Sequence, residues 1–223
     1  MAPLVLGTVT TPKSIAGIVI PDSALAKDAM ETAESSERLE IFRHSLRTFL
    51  FAELIAQIRH VQHDSEAVFV ASILHDTGLV PQFMSADERF EVDGANLSRA
   101  MLARHQITGL RSDVIWDAVC LHDQGDIAKW KQPEVQLVSA GVSADFGAGI
   151  HELPRDDVVA ILRAAPRDNF IPVFLDAVAQ FARRKPDATG NSWVTDVAYR
   201  RVRGFHLDNF VDAVTSADPF SGY

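Results

Sequence analysis

His75-Asp76 closes an apolar run, Ala71-Ser72-Ile73-Leu74, and is followed by Thr77-Gly78-Leu79. An ionised carboxylate in apolar surroundings costs several kcal/mol or more unless it is paired or bound to a metal. A divalent cation would remove that cost. His44 upstream and Asp145 downstream stand in similar settings and would complete a set of four ligands: His44, His75, Asp76 and Asp145. Two imidazoles and two carboxylates suit zinc, with iron, manganese or nickel as alternatives. One divalent metal with an open position lowers the pKa of water towards neutrality and makes it a nucleophile for hydrolysis or hydration.

Helical periodicity puts these residues on inward faces. His44 shares a face with Ile41 and Phe51, and Asp145 continues the face of Val138, Gly141 and Val142. A further histidine, His122, lies three, four and seven residues after Val119, Ala118 and Ile115, on the same apolar stripe. Each of these alone reads as a hydrogen-bonded core residue or a turn-closing side chain. Their convergence on facing helices is how bundles assemble metal sites.

The elements that must carry them follow one another as helix after helix, so the fold class expected is all-α, a helical bundle. Residues 1–20 show no helical period and read as an irregular N-terminal arm. Residues 21–223 read as one helical domain, with the metal-site core over about 36–150 and C-terminal helices over 151–223. Helices are expected at 23–33, after Pro21-Asp22-Ser23, then at 36–59 and 65–75. Gly78 is expected to end the third in the left-handed conformation. Residues 79–92 read as a loop. Asp93 is expected to cap a helix through Ala103, and Ser112 one through Leu121. Pro133 suits the first turn of a helix reaching Phe146. Later helices are expected near 155–164, 170–184, 192–203 and 206–215.

With 47% hydrophobic residues among 223, the chain can bury a sizeable core. It has no apolar run of about 18 residues, which argues against a membrane partner. A net charge of −9 argues against nucleic acid and leaves a small-molecule substrate, with homo-oligomerisation open. The single cysteine, Cys120, and the lack of a secretory leader fit a cytoplasmic protein.

The pattern of a histidine, a His-Asp pair and a distant aspartate resembles the HD-domain superfamily of metal-dependent hydrolases. Within it the chain is similar to the cyanamide hydratase-like branch. The phrases that carry this are Ile20-Pro21-Asp22-Ser23-Ala24-Leu25-Ala26, His44-Ser45-Leu46-Arg47-Thr48-Phe49-Leu50-Phe51 and Leu74-His75-Asp76-Thr77-Gly78-Leu79. They continue in Arg89-Phe90-Glu91-Val92-Asp93-Gly94-Ala95, Trp116-Asp117-Ala118-Val119, Pro133-Glu134-Val135-Gln136-Leu137-Val138 and Gly141 through Asp145. The resemblance spans roughly 18–150. It implies an all-α HD-type bundle with one divalent metal on His44, His75, Asp76 and Asp145. It also implies catalytic, supporting or substrate-contacting roles for His122, Glu91 and Asp93. The chain departs from the branch after His122, where Asp123-Gln124-Gly125-Asp126-Ile127 replaces threonines and a proline-glycine; this bears on the substrate. Some HD proteins place two extra histidines between the His-Asp pair and the last aspartate and bind two metals. His105 and His122 occupy that interval, but His105 ends a helix, where a histidine is favourable on electrostatic grounds alone. His60, His63, His151 and His206 read as surface residues.

Three functions compete at this level. A hydratase would add water to a small C≡N group, as in cyanamide going to urea, with His122 moving the proton; a divalent metal offset by Asp76 and Asp145 makes a neutral core for a neutral substrate. An HD-type phosphohydrolase acting on a nucleotide or phosphate monoester needs cations for its phosphate, and Arg43, Arg47, Arg89 and Arg99 are the residues on offer. The third is a non-catalytic helical module that keeps a metal or binds a partner.

Overall fold

The computed structural model describes residues 14–190 and 192–216. The chain is helical almost throughout, as expected. Two short strands, β1 (Ser14–Ile15) and β2 (Ile18–Val19), precede eleven α-helices among the described residues. These are α1 (Ala24–Ser36), α2 (Leu39–Arg59), α3 (Ser65–Leu74), α4 (Phe90–Arg104), α5 (Leu110–Cys120) and α6 (Gly125–Ala128). They continue as α7 (Pro133–Asp145), α8 (Arg155–Ala164), α9 (Phe170–Arg184), α10 (Trp193–Arg201) and α11 (Phe210–Ser216).

The strands correct the expected arm. Its residues 1–13 lie outside those described, and 14–19 form an antiparallel hairpin pairing Ser14 with Val19 and Ile15 with Ile18. Ala16 and Gly17 turn it with positive φ, which suits the twist of a two-residue hairpin. Ile15 and Ile18 point into the main core.

α2 is the axis of the molecule. A run of fifteen of its residues, broken only by Arg43, is buried from Ile41 to Ala56, so it is enclosed on every side along that stretch. α3, apolar apart from Ser65 and Glu66 at its start and Ser72, packs beside it, and α7 packs against both. Gly141 of α7 permits that approach: a Cβ there would run into the Thr48 carbonyl and lie 3.1 Å from the Ala52 methyl. A second apolar cluster joins Ile41, Leu79 and Phe90 to Phe170, Phe174, Val178 and Phe181 of α9 and Val194 of α10. It seals the C-terminal helices onto the end of the bundle that carries His75-Asp76.

Several boundaries differ from expectation. α3 does not end in a left-handed glycine: His75 stays helical and Thr77–Leu79 tightens into a 3-10 turn. Gly78 is required for another reason, because a Cβ there would collide with the Phe90 carbonyl. α4 starts at Phe90, so Asp93 sits inside its first turn instead of capping it. Its carboxylate has a stronger claim, described below. α5 starts at Leu110, after Gly109 at φ 68°, and Ser112 is a buried residue of its first turn. The expected loop over 79–92 contains a 3-10 turn at Pro81–Phe83, and α6 is an added short helix.

Candidate metal centre

His44, His75 and Asp76 each present one ligand atom such that the three lie within 4.8 Å of one another. All three residues are fully or almost fully buried. His44 comes from the middle of α2 and His75 from the end of α3. Asp76 follows in the bridge region of backbone space, at φ −98° and ψ 0°, which turns its side chain back towards the two rings.

The hydrogen bonds of the imidazoles set their tautomers. His75 Nδ1 donates to the Ser72 carbonyl at 2.7 Å, and His122 Nδ1 to the Val119 carbonyl at 2.7 Å. A carbonyl only accepts, so the proton is on Nδ1 in both. His44 Nδ1 donates to Asp145 Oδ2 at 2.6 Å. When neutral, each ring therefore aims an Nε2 lone pair inwards. His44 Nε2 and His75 Nε2 stand 3.2 Å apart, and Asp76 Oδ2 lies 3.7 and 3.2 Å from them. The approach of His75 lacks hydrogen-bond geometry, so Asp76 Oδ2 is a buried oxygen with no partner. Two lone pairs and a carboxylate oxygen facing one another repel unless a metal ion, or a proton on one of the rings, stands among them. The donor set fits a divalent metal of the zinc, iron, manganese or nickel type.

With no metal among these groups, a proton on His75 takes that place. Burial opposes ionisation of Asp76, but the His75 charge beside it prevails and holds its carboxyl well below the ordinary range. Burial depresses His44, and the neighbouring His75 adds to the effect; His122 is lowered for the same two reasons. His75 is raised in spite of burial, because it faces Asp76.

Asp145 does not join the shared point. It stands behind His44, and both of its oxygens are taken. Arg47, a fully buried side chain, forks onto it with Nε to Oδ1 at 2.7 Å and Nη2 to Oδ2 at 2.8 Å. Arg167 Nη1 donates to Oδ1 at 2.8 Å and also to the Asp145 carbonyl. These bonds and the one from His44 outweigh burial and keep Asp145 ionised. In this arrangement Asp145 holds the His44 ring through Nδ1, as carboxylates commonly do behind metal-bound imidazoles. His122 is the nearest further nitrogen, 3.9 Å from Asp76 Oδ1.

The other expected residues are placed elsewhere. Asp93 is buried in an ion pair with Lys185 Nζ at 2.7 Å, and its second oxygen accepts from the Ser85 amide. It clamps the 80–88 segment to the end of α9 and does not line the cavity described below. Glu91 pairs with Arg89, and its Oε2 is buried without a partner. Burial, reinforced by the Asp123 charge, pushes its carboxyl up to about 7 despite Arg89. His105 Nε2 donates to Asp28 Oδ2 at 2.9 Å and takes no part in the centre. His63 is half-buried against Glu53, whereas His60, His151 and His206 are exposed as expected.

Three features had no counterpart in the sequence pattern. One is the pair of arginines around Asp145. Another is Glu37, whose buried carboxyl oxygens lack partners and whose pKa is raised well above its usual value by burial and by Asp76. The third is the cavity onto which His44, His75, Asp76 and His122 open, about 420 Å³ in volume. Its walls come from Val142, Phe146, Ile171, Phe174, Leu175 and Trp193, with Asp123 at one side. Phe170 stacks on His44 at 4.7 Å between ring centres and braces it from behind.

No helix among the described residues is long and apolar enough to cross a membrane. No curated protein matches the chain. The family model for the HD domain matches residues 41–165, more than half of the chain and the whole stretch from His44 to Asp145. With a helical scaffold, a buried His-Asp pair and a donor set suited to a divalent metal inside that stretch, the chain belongs to the HD-domain family, whose members are in general metal-dependent hydrolases.

Proposed function

We propose that this protein is a cyanamide hydratase-like enzyme that adds water to the C≡N group of a small uncharged substrate, turning a cyanamide into a urea or a nitrile into an amide. His44, His75 and Asp76 hold one divalent metal, zinc by preference, and Asp145 fixes the His44 ring. When bound, that metal would lower the pKa of water towards neutrality. His122 faces the same space with a free Nε2, held neutral by burial. It accepts a proton from the attacking water and returns one to the substrate nitrogen, so that water and substrate sum to the product with nothing left over. Asp93 has no part in these steps.

The observation that carries the reading is the charge of the cavity. No lysine or arginine is among its described lining residues. The four arginines that a phosphate would need are engaged: Arg47 on Asp145, Arg43 on Asp168, Arg89 on Glu91 and Arg99 on Asp113. Asp123, kept ionised against burial by His122 and the Trp193 indole, lies in the wall instead. A divalent ion offset by Asp76 and Asp123 leaves a neutral chamber, inhospitable to a phosphate monoester.

Metal analysis of the wild type and His75→Ala tests the centre. About one metal per chain, lost in the variant, is expected. A parallel screen of cyanamide, simple nitriles, nucleoside monophosphates and a generic phosphate ester tests the chemistry. Turnover of the phosphates alone would sink the hydratase reading.

A further inference from the structure

The floor of the cavity and the larger part of its apolar wall come from different lengths of chain. His44, His75, Asp76 and His122 lie within the family-matched stretch, whereas Ile171, Phe174, Leu175 and Trp193 lie beyond it. The two parts also differ in chemistry. The Phe174 and Trp193 rings are stacked, 5.6 Å between centres and 21° between planes, and Phe146 stands 5.4 Å from Phe174. The Trp193 indole N–H is given to Asp123 Oδ2 at 2.6 Å. That bond fixes the rotation of the ring and spends its only polar atom, so the indole has only carbon to offer the cavity. Asp123 is steadied in turn by Gln124 at 3.0 Å.

Size separates this chamber from a site shaped for the smallest C≡N compound. Cyanamide has three heavy atoms, roughly the bulk of two waters at about 30 Å³ each in the liquid. The cavity, at about 420 Å³, is several times larger. Space walled by aromatic and aliphatic carbon is filled favourably by apolar surface, at roughly 25 cal/mol per Å² removed from water, whereas a polar molecule of that bulk gains little there. We infer that the substrate is an uncharged molecule carrying a planar, ring-sized apolar body, seated against Phe146, Phe174 and Trp193 with its reactive group turned to His44, His75 and Asp76. Only the identity of that reactive group rests on the hydration reading; the body is specified by the walls.

Calorimetric titration of the metal-loaded protein with phenylurea, urea and phenyl phosphate tests this directly. Phenylurea should bind at least tenfold more tightly than urea, and phenyl phosphate should bind no better than urea. Trp193→Ala and Phe174→Ala should each weaken phenylurea at least tenfold. Ile171→Asp, at a half-exposed position on the cavity margin, should do the same without disturbing the interior, which keeps the test decisive should the aromatic variants fail to fold. In kinetics, phenylcyanamide should exceed cyanamide in kcat/KM by tenfold or more, with that ratio falling in the variants. Equal binding of urea and phenylurea, or phenylurea binding unchanged in every folded variant, overturns the inference. If neither cyanamide turns over while phenylurea binding follows the variants, the hydration reading fails and the aromatic seat stands. If cyanamide alone is hydrated and phenylurea does not bind, the hydration reading stands and the aromatic seat fails.

Discussion

His44 and Asp145 face each other from α2 and α7 through a 2.6 Å hydrogen bond, and that bond settles which nitrogen of His44 looks into the centre. One turn along both helices, Thr48 and Gly141 touch backbone to backbone. The tautomer of a metal-facing imidazole is thereby tied to the spacing of two helices.

Asp145→Asn should keep the shape of the carboxylate and lose its charge. The Asn amide can present its nitrogen to His44 and favour the wrong tautomer. A 10- to 100-fold loss of metal affinity is expected, on the scale seen when partners behind metal-bound histidines are changed. Competition with a chelator of known affinity measures it. His75→Ala should instead abolish binding, and equal losses in the two variants would contradict the assigned difference in role.

Gly141→Ala introduces a methyl where α2 and α7 already meet. Overpacking of this kind costs about 1–3 kcal/mol. The variant should unfold at lower denaturant concentration and also bind metal more weakly, because the strain is delivered one turn from His44 and Asp145. A stability loss with unchanged metal affinity would show that the centre is buffered from the helix contact.

Lys185→Met leaves Asp93 buried and uncompensated. Removing one partner of such a pair costs about 3–5 kcal/mol, so a large drop in unfolding free energy is expected in urea titration. The native fraction should retain its metal, since neither Asp93 nor Lys185 reaches the centre.

Glu91 gives a pH signature. Its folded pKa of about 7 lies above its ordinary 4.5, so the native protein binds more protons than the unfolded chain between those values. Stability must therefore fall as pH rises across that window, by up to about 3 kcal/mol. Glu91→Gln, which can still accept from Arg89, should remove this component. Thermal unfolding of the two proteins at pH 5 and pH 8 measures it: the variant's advantage should be larger at pH 8, and a gap that does not grow with pH would contradict the burial of a protonated acid.

Much of the scaffold was legible because its helices are strongly periodic. α8 and α9 coincide with the expected 155–164 and 170–184, and α2 and α3 lie within a few residues of expectation. Convergence of His44, His75 and Asp76 was legible too, since buried polar residues stand out on apolar faces. What the pattern could not show is how each acid is neutralised. The partners of Asp145 and Asp93 are Arg47 and Lys185, 98 and 92 residues away. Such pairing is decided by tertiary packing and leaves no local period. Asp93 has a side chain suited to capping, but Lys185 in the interior claims it. The aromatic wall was hidden for a related reason: Phe174 and Trp193 satisfy the apolar face of an ordinary amphipathic helix and only in three dimensions also border empty space.

The origin of the floor and much of the wall in separate stretches of the chain has a consequence for how this protein can change. Positions 171, 174, 175 and 193 include none of the residues whose ligand atoms converge at the His-Asp pair, so the range of molecules admitted can drift while the reaction is conserved. Descendants of this scaffold would then diverge first in diet and only later in chemistry.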